Sequence, residues 1–391
     1  LTRAIRNFVH RQPAKPSITT TEGKITLNVE PDLAEIRPVI LGAVVRNVDY
    51  TSIGVSADEF IKSLMDHQEK LHFALGRGRK RASIGVHDLA KLAPPFTVKA
   101  VSGDTKFTPL AATEPMSIKE IMAEHPKGIE YAHLLSEFDR YPIILDAENN
   151  VLSFPPIING DHTTVTKETK DFFIDVTGWD IRACESSLML IALQLQEYGG
   201  IIETVEVTNC FGETNVYPNG SAVEHKLTIA AIQGLLGGKL TEEAISGAIN
   251  RMGGKLVACD DELITLEMPR WRFDILHPVD LVEDIAIGHG YEDLGHDIPR
   301  SPMTAKPRSD ANLLRRVGNS MQGLGMMQIQ SLTLSNDDDQ FNLVRWESVG
   351  EVTRITNPIT IDHTLLRQYL LPGLLRLLST NRHHDLPQSV Y

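Results

Sequence analysis

The stretch Met268–Tyr291, MPRWRFDILHPVDLVEDIAIGHGY, holds the densest group of chemically capable side chains in the chain. Pro278 sits where a helix can start, because a proline's missing N–H costs nothing in the first turn. Val279, Val282, Ile285, Ala286 and Ile287 then supply an apolar face at helical spacing. Asp280, Glu283 and Asp284 stand at i, i+3 and i+4, which puts three carboxylates on one helical face. Asp274 arrives from the preceding loop. Four converging carboxylates raise one another's pKa values unless a cation intervenes. Mg²⁺, a hard ion that takes one or two carboxylates directly and keeps its waters, would relieve that repulsion. The spacing alone also fits an acidic first turn favoured by the helix dipole, with Arg270 and Arg272 as local partners.

A second candidate is the strand-like run Phe172–Thr177, in which Phe172, Ile174 and Val176 face one way and Phe173, Asp175 and Thr177 the other. An Asp and a Thr side by side line a pocket or form a polar edge; the residues alone favour the edge. His87–Asp88 reads as structural rather than as a catalytic dyad, and no Ser–His or Cys–His nucleophile pair is legible. Arg77, Arg79, Lys80 and Arg81 form a glycine-punctuated basic loop, either solvated or in contact with phosphate. His363, His383, His384 and Asp385 lack any further zinc-ligand spacing and read as surface or capping residues.

Patterning places these residues on an α+β, multidomain chain. The first unit, 1–95, has a short helix to Phe8, a Pro13- and Pro16-containing linker, strands at Lys24–Val29 and Val39–Val45, and a helix at Ser56–Leu75. The second, 96–215, has strands at Tyr141–Leu145 and Val151–Phe154 joined by a turn over Asp146–Asn150. It continues through Phe172–Thr177, a helix at Ile181–Tyr198 capped by Asp180, and a strand at Ile201–Thr208. The third, 220–296, pairs Lys255–Ala258 with Glu262–Met268 and adds helical patterns at Leu227–Leu236 and from Glu242. The fourth, 300–391, follows a linker with Pro299, Pro302 and Pro307, with a helix at Asn312–Leu324 and a strand at Met327–Leu334.

With 391 residues, two or three domains are the prior expectation. A formal charge of −13 argues against a wholly nucleic-acid-binding surface and leaves room for a local basic patch; DNA binding is not expected. Three scattered cysteines, Cys184, Cys210 and Cys259, suit a reduced, cytoplasmic protein. No apolar run reaches a membrane span of about 18 residues. Leu1 in place of Met and a strand-like run ending at Tyr391 read as a fragment lacking both ends of a longer polypeptide.

RFDILHPVDLVEDIAIGHGY resembles the metal-ligand segment of the phenylalanyl-tRNA synthetase beta subunit family, archaeal and eukaryotic type. The resemblance implies that Asp274, Asp280, Glu283 and Asp284 bind Mg²⁺ at the border with the alpha subunit. ASIGVHDLAKLAPPFTVKAV (Ala82–Val101) resembles the family's first domain. YPIILD, LSFPPIIN and FFIDVTG resemble its editing domain, which hydrolyses tRNA wrongly charged with tyrosine. Ser153, Asp175 and Thr177, with Asn159, match positions of the editing pocket and are assigned to substrate recognition and water placement. Residues 220–296 correspond to a small helix-turn-helix-like domain. Asn357–Pro387 resembles the opening of a catalytically silent class II synthetase-like antiparallel-sheet module that packs on the alpha subunit. The resemblance implies an α2β2 enzyme that attaches phenylalanine to its tRNA, with ATP, phenylalanine and the ligation chemistry on the alpha subunit. A free-standing aminoacyl-tRNA editing hydrolase and a non-catalytic structural tRNA-binding subunit are the competing functions.

Overall fold

A strand flanked by partners on both edges and covered on both faces must be apolar along nearly its whole length. Phe172–Gly178 is such a strand. In a computed structural model, which describes residues 2–294 and 305–391, it lies buried throughout between two antiparallel neighbours. The chain divides into two compact units at residues 297/298.

In the first unit, α1 (Thr2–Phe8) precedes β1 (Thr26–Val29), β2 (Val39–Arg46), α2 (Ala57–Phe73), β3 (Ala82–Asp88) and β4 (Phe96–Ser102). A small β5 (Lys106–Phe107) and β6 (Met116–Ser117) pair, with α3 (Ile118–Glu124) and α4 (Pro126–Tyr131), leads to β7 (Arg140–Leu145), β8 (Val151–Phe154) and β9 (Ile158–Asn159). Then come β10 (Phe172–Gly178), α5 (Ile181–Gln196), β11 (Ile201–Thr208) and β12 (Thr214–Tyr217). Among the described residues these form one ten-stranded sheet in the order β3-β10-β2-β11-β1-β4-β7-β8-β9, with β12 on β11. The division expected at 95/96 therefore falls inside a single sheet, between β3 and β4. Chain order suggested two units; strand pairing joins them, because β10 inserts between β2 and β3.

Two hydrophobic cores sandwich β10. Phe172, Ile174 and Val176 pack with Phe60 and Leu64 of α2 and with Leu188, Ile191 and Leu195 of α5. Phe173 turns to the other core, with Phe96, Val98, Ile143 and Val205. Burying each such side chain stabilises the fold by about 1.5–3 kcal/mol. Ser56 starts α2 through a capping box: its hydroxyl accepts from Glu59 N–H at 3.3 Å, and the Glu59 carboxylate accepts from Ser56 N–H at 3.1 Å. Asp180 caps α5 by accepting from Ala183 N–H at 3.0 Å.

Beyond β12, a three-stranded antiparallel sheet, β13 (Val223–Thr228), β14 (Lys255–Cys259) and β15 (Leu263–Met268), has β15 in the middle. It packs with α6 (Ile229–Leu236), α7 (Glu242–Arg251) and α8 (Pro278–His289) around Ile249, Leu266, Leu281 and Ile285. The helix expected from Leu227 begins at Ile229, because Leu227 and Thr228 complete β13 and Thr228 caps α6.

The second unit contains α9 (Ala311–Gly323), β16 (Leu334–Ser335), β17 (Leu365–Leu366) and α10 (Leu371–Thr380). The strand expected at Met327–Leu334 is not formed. Met327 donates to the Ser389 carbonyl and accepts from Tyr391 N–H, and Ile329 donates to the Tyr391 carbonyl, an isolated parallel bridge; ladder pairing starts only at Leu334. Of the antiparallel sheet expected here, the described residues show the two-residue β16–β17 pair. Pro299 and Pro302 of the expected linker lie outside the described residues. No helix among the described residues is long and apolar enough to cross a membrane.

Candidate functional site

The strongest site in the first unit is a cavity of about 340 Å³ over the β3–β10 ladder, walled by α2, β3, β8, β9 and the segments around them. Its lining combines apolar side chains, including Ile61, Met65, Ile84, Val86, Ile157 and Ile158, with polar ones that include Glu69, Arg79, His125 and Lys127. That mixture is typical of small-ligand sites.

Ser153, Asn159 and Asp175 all line this cavity. Ser153 and Asn159 face each other across the β8–β9 ladder, and the Ser153 hydroxyl donates to Asn159 Oδ1 at 3.2 Å. Asp175 is 1% exposed, and its Oδ2 lies 2.7 Å from His87 Nε2. Thr177 is not among the residues that line the cavity, although Ser83 beside it is. Its hydroxyl accepts from Arg37 Nε at 2.6 Å and lies 3.0 Å from Ser83 Oγ, while its carbonyl accepts from Arg37 Nη2 at 2.6 Å. Arg37 is buried without a carboxylate hydrogen-bond partner among the described residues, and burial pulls its guanidinium down to about 10, still charged at neutral pH. Thr177 thus belongs to the support behind the cavity floor.

His87, Thr163 and Arg37 were not picked out as site residues by sequence reasoning. His87 is fully buried and joins Asp175 on one ring nitrogen and Thr163 Oγ1, at 2.8 Å, on the other. Asp88 does not share in this. It accepts from Ala90 N–H at 3.1 Å and from the Thr169 hydroxyl at 2.9 Å, a local structural role. The signal was present as alternation: Gly85 and His87 share one face of β3 and Asp175 sits on the same face of β10, but only the register makes them neighbours.

The basic run divides. Arg79 is buried in the cavity wall, where it donates to the Ile157 carbonyl at 2.9 Å and to Glu69 at 2.8 Å. Arg81 pairs with Asp180. Arg77 and Lys80 are exposed.

The acidic quartet does not converge. The exposed Asp274 receives Arg272 Nε at 2.8 Å, and Arg272 Nη2 also reaches Asp284 Oδ1 at 3.0 Å. Asp280 is spent on the helix start, its Oδ2 accepting from Leu276 and His277 N–H, each at 2.7 Å. Glu283 is exposed while Asp284 is buried, since adjacent helical positions diverge by about 100°. Burial raises the Asp284 carboxyl to about 6 despite Arg272. No group of three or more His, Cys, Asp or Glu among the described residues is arranged to hold a metal ion. Asp274, Asp280, Glu283 and Asp284, which the resemblance assigns to Mg²⁺, are thus not gathered into one cluster in this arrangement, and Arg272 supplies the positive charge beside Asp274 and Asp284.

Comparison with known proteins places three matches along the chain. Residues 41–194 match the B3/4 domain, 225–291 the tRNA synthetase B5 domain, and 295–391 the phenylalanyl tRNA synthetase beta chain CLM domain. The B3/4 match encloses the cavity and crosses residue 95. The phenylalanine–tRNA ligase beta subunit of Methanosarcina acetivorans is 42% identical over all of this chain and 70% of its own length. That of Archaeoglobus fulgidus is 37% identical with the same coverage. Among solved structures, an N-terminal fragment of the phenylalanyl-tRNA synthetase beta subunit from Pyrococcus horikoshii superposes with a TM-score of 0.68 at 32% identity. That match covers 73% of this chain and 81% of that one.

Proposed function

The chain belongs to the phenylalanine–tRNA ligase beta-subunit family, and on that premise we propose that its cavity hydrolyses tRNA wrongly charged with tyrosine. As a beta subunit it works with an alpha subunit and tRNA. In the proposed α2β2 enzyme, ATP, phenylalanine and the ligation step belong to the alpha subunit.

A pocket fitted to phenylalanine cannot strongly reject a near-isostere that adds only a hydroxyl. A second pocket with polar groups for the phenol oxygen can select tyrosine, because a ligand lacking that oxygen leaves those groups unpaired. The observation that carries the reading is the convergence of Ser153, Asn159 and Asp175 on one cavity. Ser153 donates to Asn159 Oδ1, leaving the Asn159 amide N–H groups without an acceptor among the described residues and free to meet the phenol oxygen. Asp175 Oδ1 likewise receives no hydrogen bond there and is the acceptor for the attacking water.

Water adds to the ester carbonyl carbon and the bond to the ribose oxygen breaks. One water proton ends on that ribose oxygen; the other is released as tyrosine leaves as its carboxylate. Replacing Asp175 by Ala in the assembled enzyme is expected to lower the rate of tyrosyl-tRNA deacylation about 100-fold, the scale on which losing the placement of a reacting group by about 1 Å acts. Unchanged hydrolysis by a folded variant would remove the assignment.

A further inference from the structure

Asp175, His87 and Thr163 come from β10, β3 and the turn after β9, and each is 1% exposed or less. The register sets Asp175 directly opposite Gly85 and His87 opposite Phe173. A Cβ at Gly85 would overlap Asp175 Oδ2 and crowd His87 Nε2, so the glycine opens the path by which the carboxylate reaches the ring. His87 Nε2 must carry a proton to face a carboxylate oxygen. His87 Nδ1 lies 2.8 Å from the Thr163 hydroxyl, so the ring is held at both nitrogens. The same hydroxyl lies 3.0 Å from the Gly160 carbonyl, so Thr163 is itself anchored to the turn that forms part of the cavity wall.

Resting on the editing reading above, the geometry points to His87 as a positioning residue for the hydrolysis. Fixed by Thr163, it ties up Asp175 Oδ2 and thereby aims Oδ1 at the water in the cavity. His87 touches neither substrate nor water and neither gains nor loses a proton in the step. A buried histidine with a purely packing role would tolerate any side chain that fills its volume. One that orients a carboxylate needs a donor at the position of Nε2.

The test measures kcat and KM for tyrosyl-tRNA deacylation by the full-length chain assembled with its alpha subunit, in wild type, His87→Gln, His87→Leu and Thr163→Val. Gln carries an N–H near the position of Nε2 and is expected to stay within about threefold of wild-type kcat. Leu fills space without a donor and is expected to lose about tenfold or more in kcat, with KM changed by less than about twofold. Thr163→Val, which is nearly isosteric, is expected to lower kcat by about threefold or more. It carries the test if His87→Leu does not fold. A folded Leu variant with wild-type kcat, Gln and Leu equally impaired, or an unaffected Thr163→Val overturns the role of His87. Absence of hydrolysis by the wild-type assembly overturns the editing reading itself, a result separable from the others.

Discussion

Asp175 has a glycine opposite it on both neighbouring strands, Gly42 on β2 and Gly85 on β3. Asp175 and Thr177 already showed in the sequence as polar positions on one face of an otherwise apolar strand. Nothing local to Asp175 reveals that its oxygen is bound by a histidine 88 positions away. Nor does it reveal that Thr177, on the same face, is tied to Arg37 behind the cavity. Gly85 is the legible trace of that crowding once the register is known; a Cβ at Gly42 would instead meet Val205 and Phe173. Gly85→Ala is expected to push the Asp175 carboxylate off His87. The cost is about 1–3 kcal/mol of stability from overpacking, together with a fall in tyrosyl-tRNA deacylation. Urea unfolding and steady-state hydrolysis check the two effects together. If Gly85→Ala hydrolyses at the wild-type rate, the carboxylate does not depend on that opening.

Element by element, the helices were legible because their signals are local. Ser56, Asp180 and Pro278 mark helix starts where capping side chains or a fixed φ are needed, and apolar spacing does the rest. Sheet order was not legible, since it depends on pairings far apart in sequence. That is why residue 95 looked like a boundary, and why Met327–Leu334 looked like a strand although few backbone partners reach it. In the loop entering α8 the alternative that the spacing offered is the one seen for Arg272, which pairs with Asp274 and Asp284, whereas Arg270 faces Glu185. This clamp has a pH signature. Asp284 is held near 6, above the ordinary aspartate value of about 4, so between those values the folded chain binds more protons than the unfolded one. Its contribution therefore favours the fold as pH falls from 7 towards 5, opposite to a carboxylate whose pKa is lowered by pairing. Asp284→Asn, which cannot titrate, is expected to show a smaller gain in urea midpoint over that range than wild type. Equal gains would mean that the group does not titrate there.

At the scale of the whole molecule, the two units differ in how well they satisfy themselves. The first buries β10 under two cores, whereas α9 in the second has no buried residue. Leu313, Leu314 and Val317 of α9 and Leu324, which ends it, are 48–76% exposed. A 13-residue helix gains little from intrinsic propensity alone, and most helical stability in proteins comes from burying an amphipathic face. Exposed apolar side chains gathered in this way mark an association surface. Family membership supplies a candidate occupant, the alpha subunit. Replacing Leu314 and Val317 together by Lys is expected to reduce recovery of the alpha subunit when the two chains are co-expressed and purified through a tag on this one. The circular dichroism of the isolated chain should change little, because both side chains are largely exposed. Undiminished recovery would assign the face to some other part of the assembly. A collapse of helicity in the isolated chain would instead make the face part of this chain's own fold.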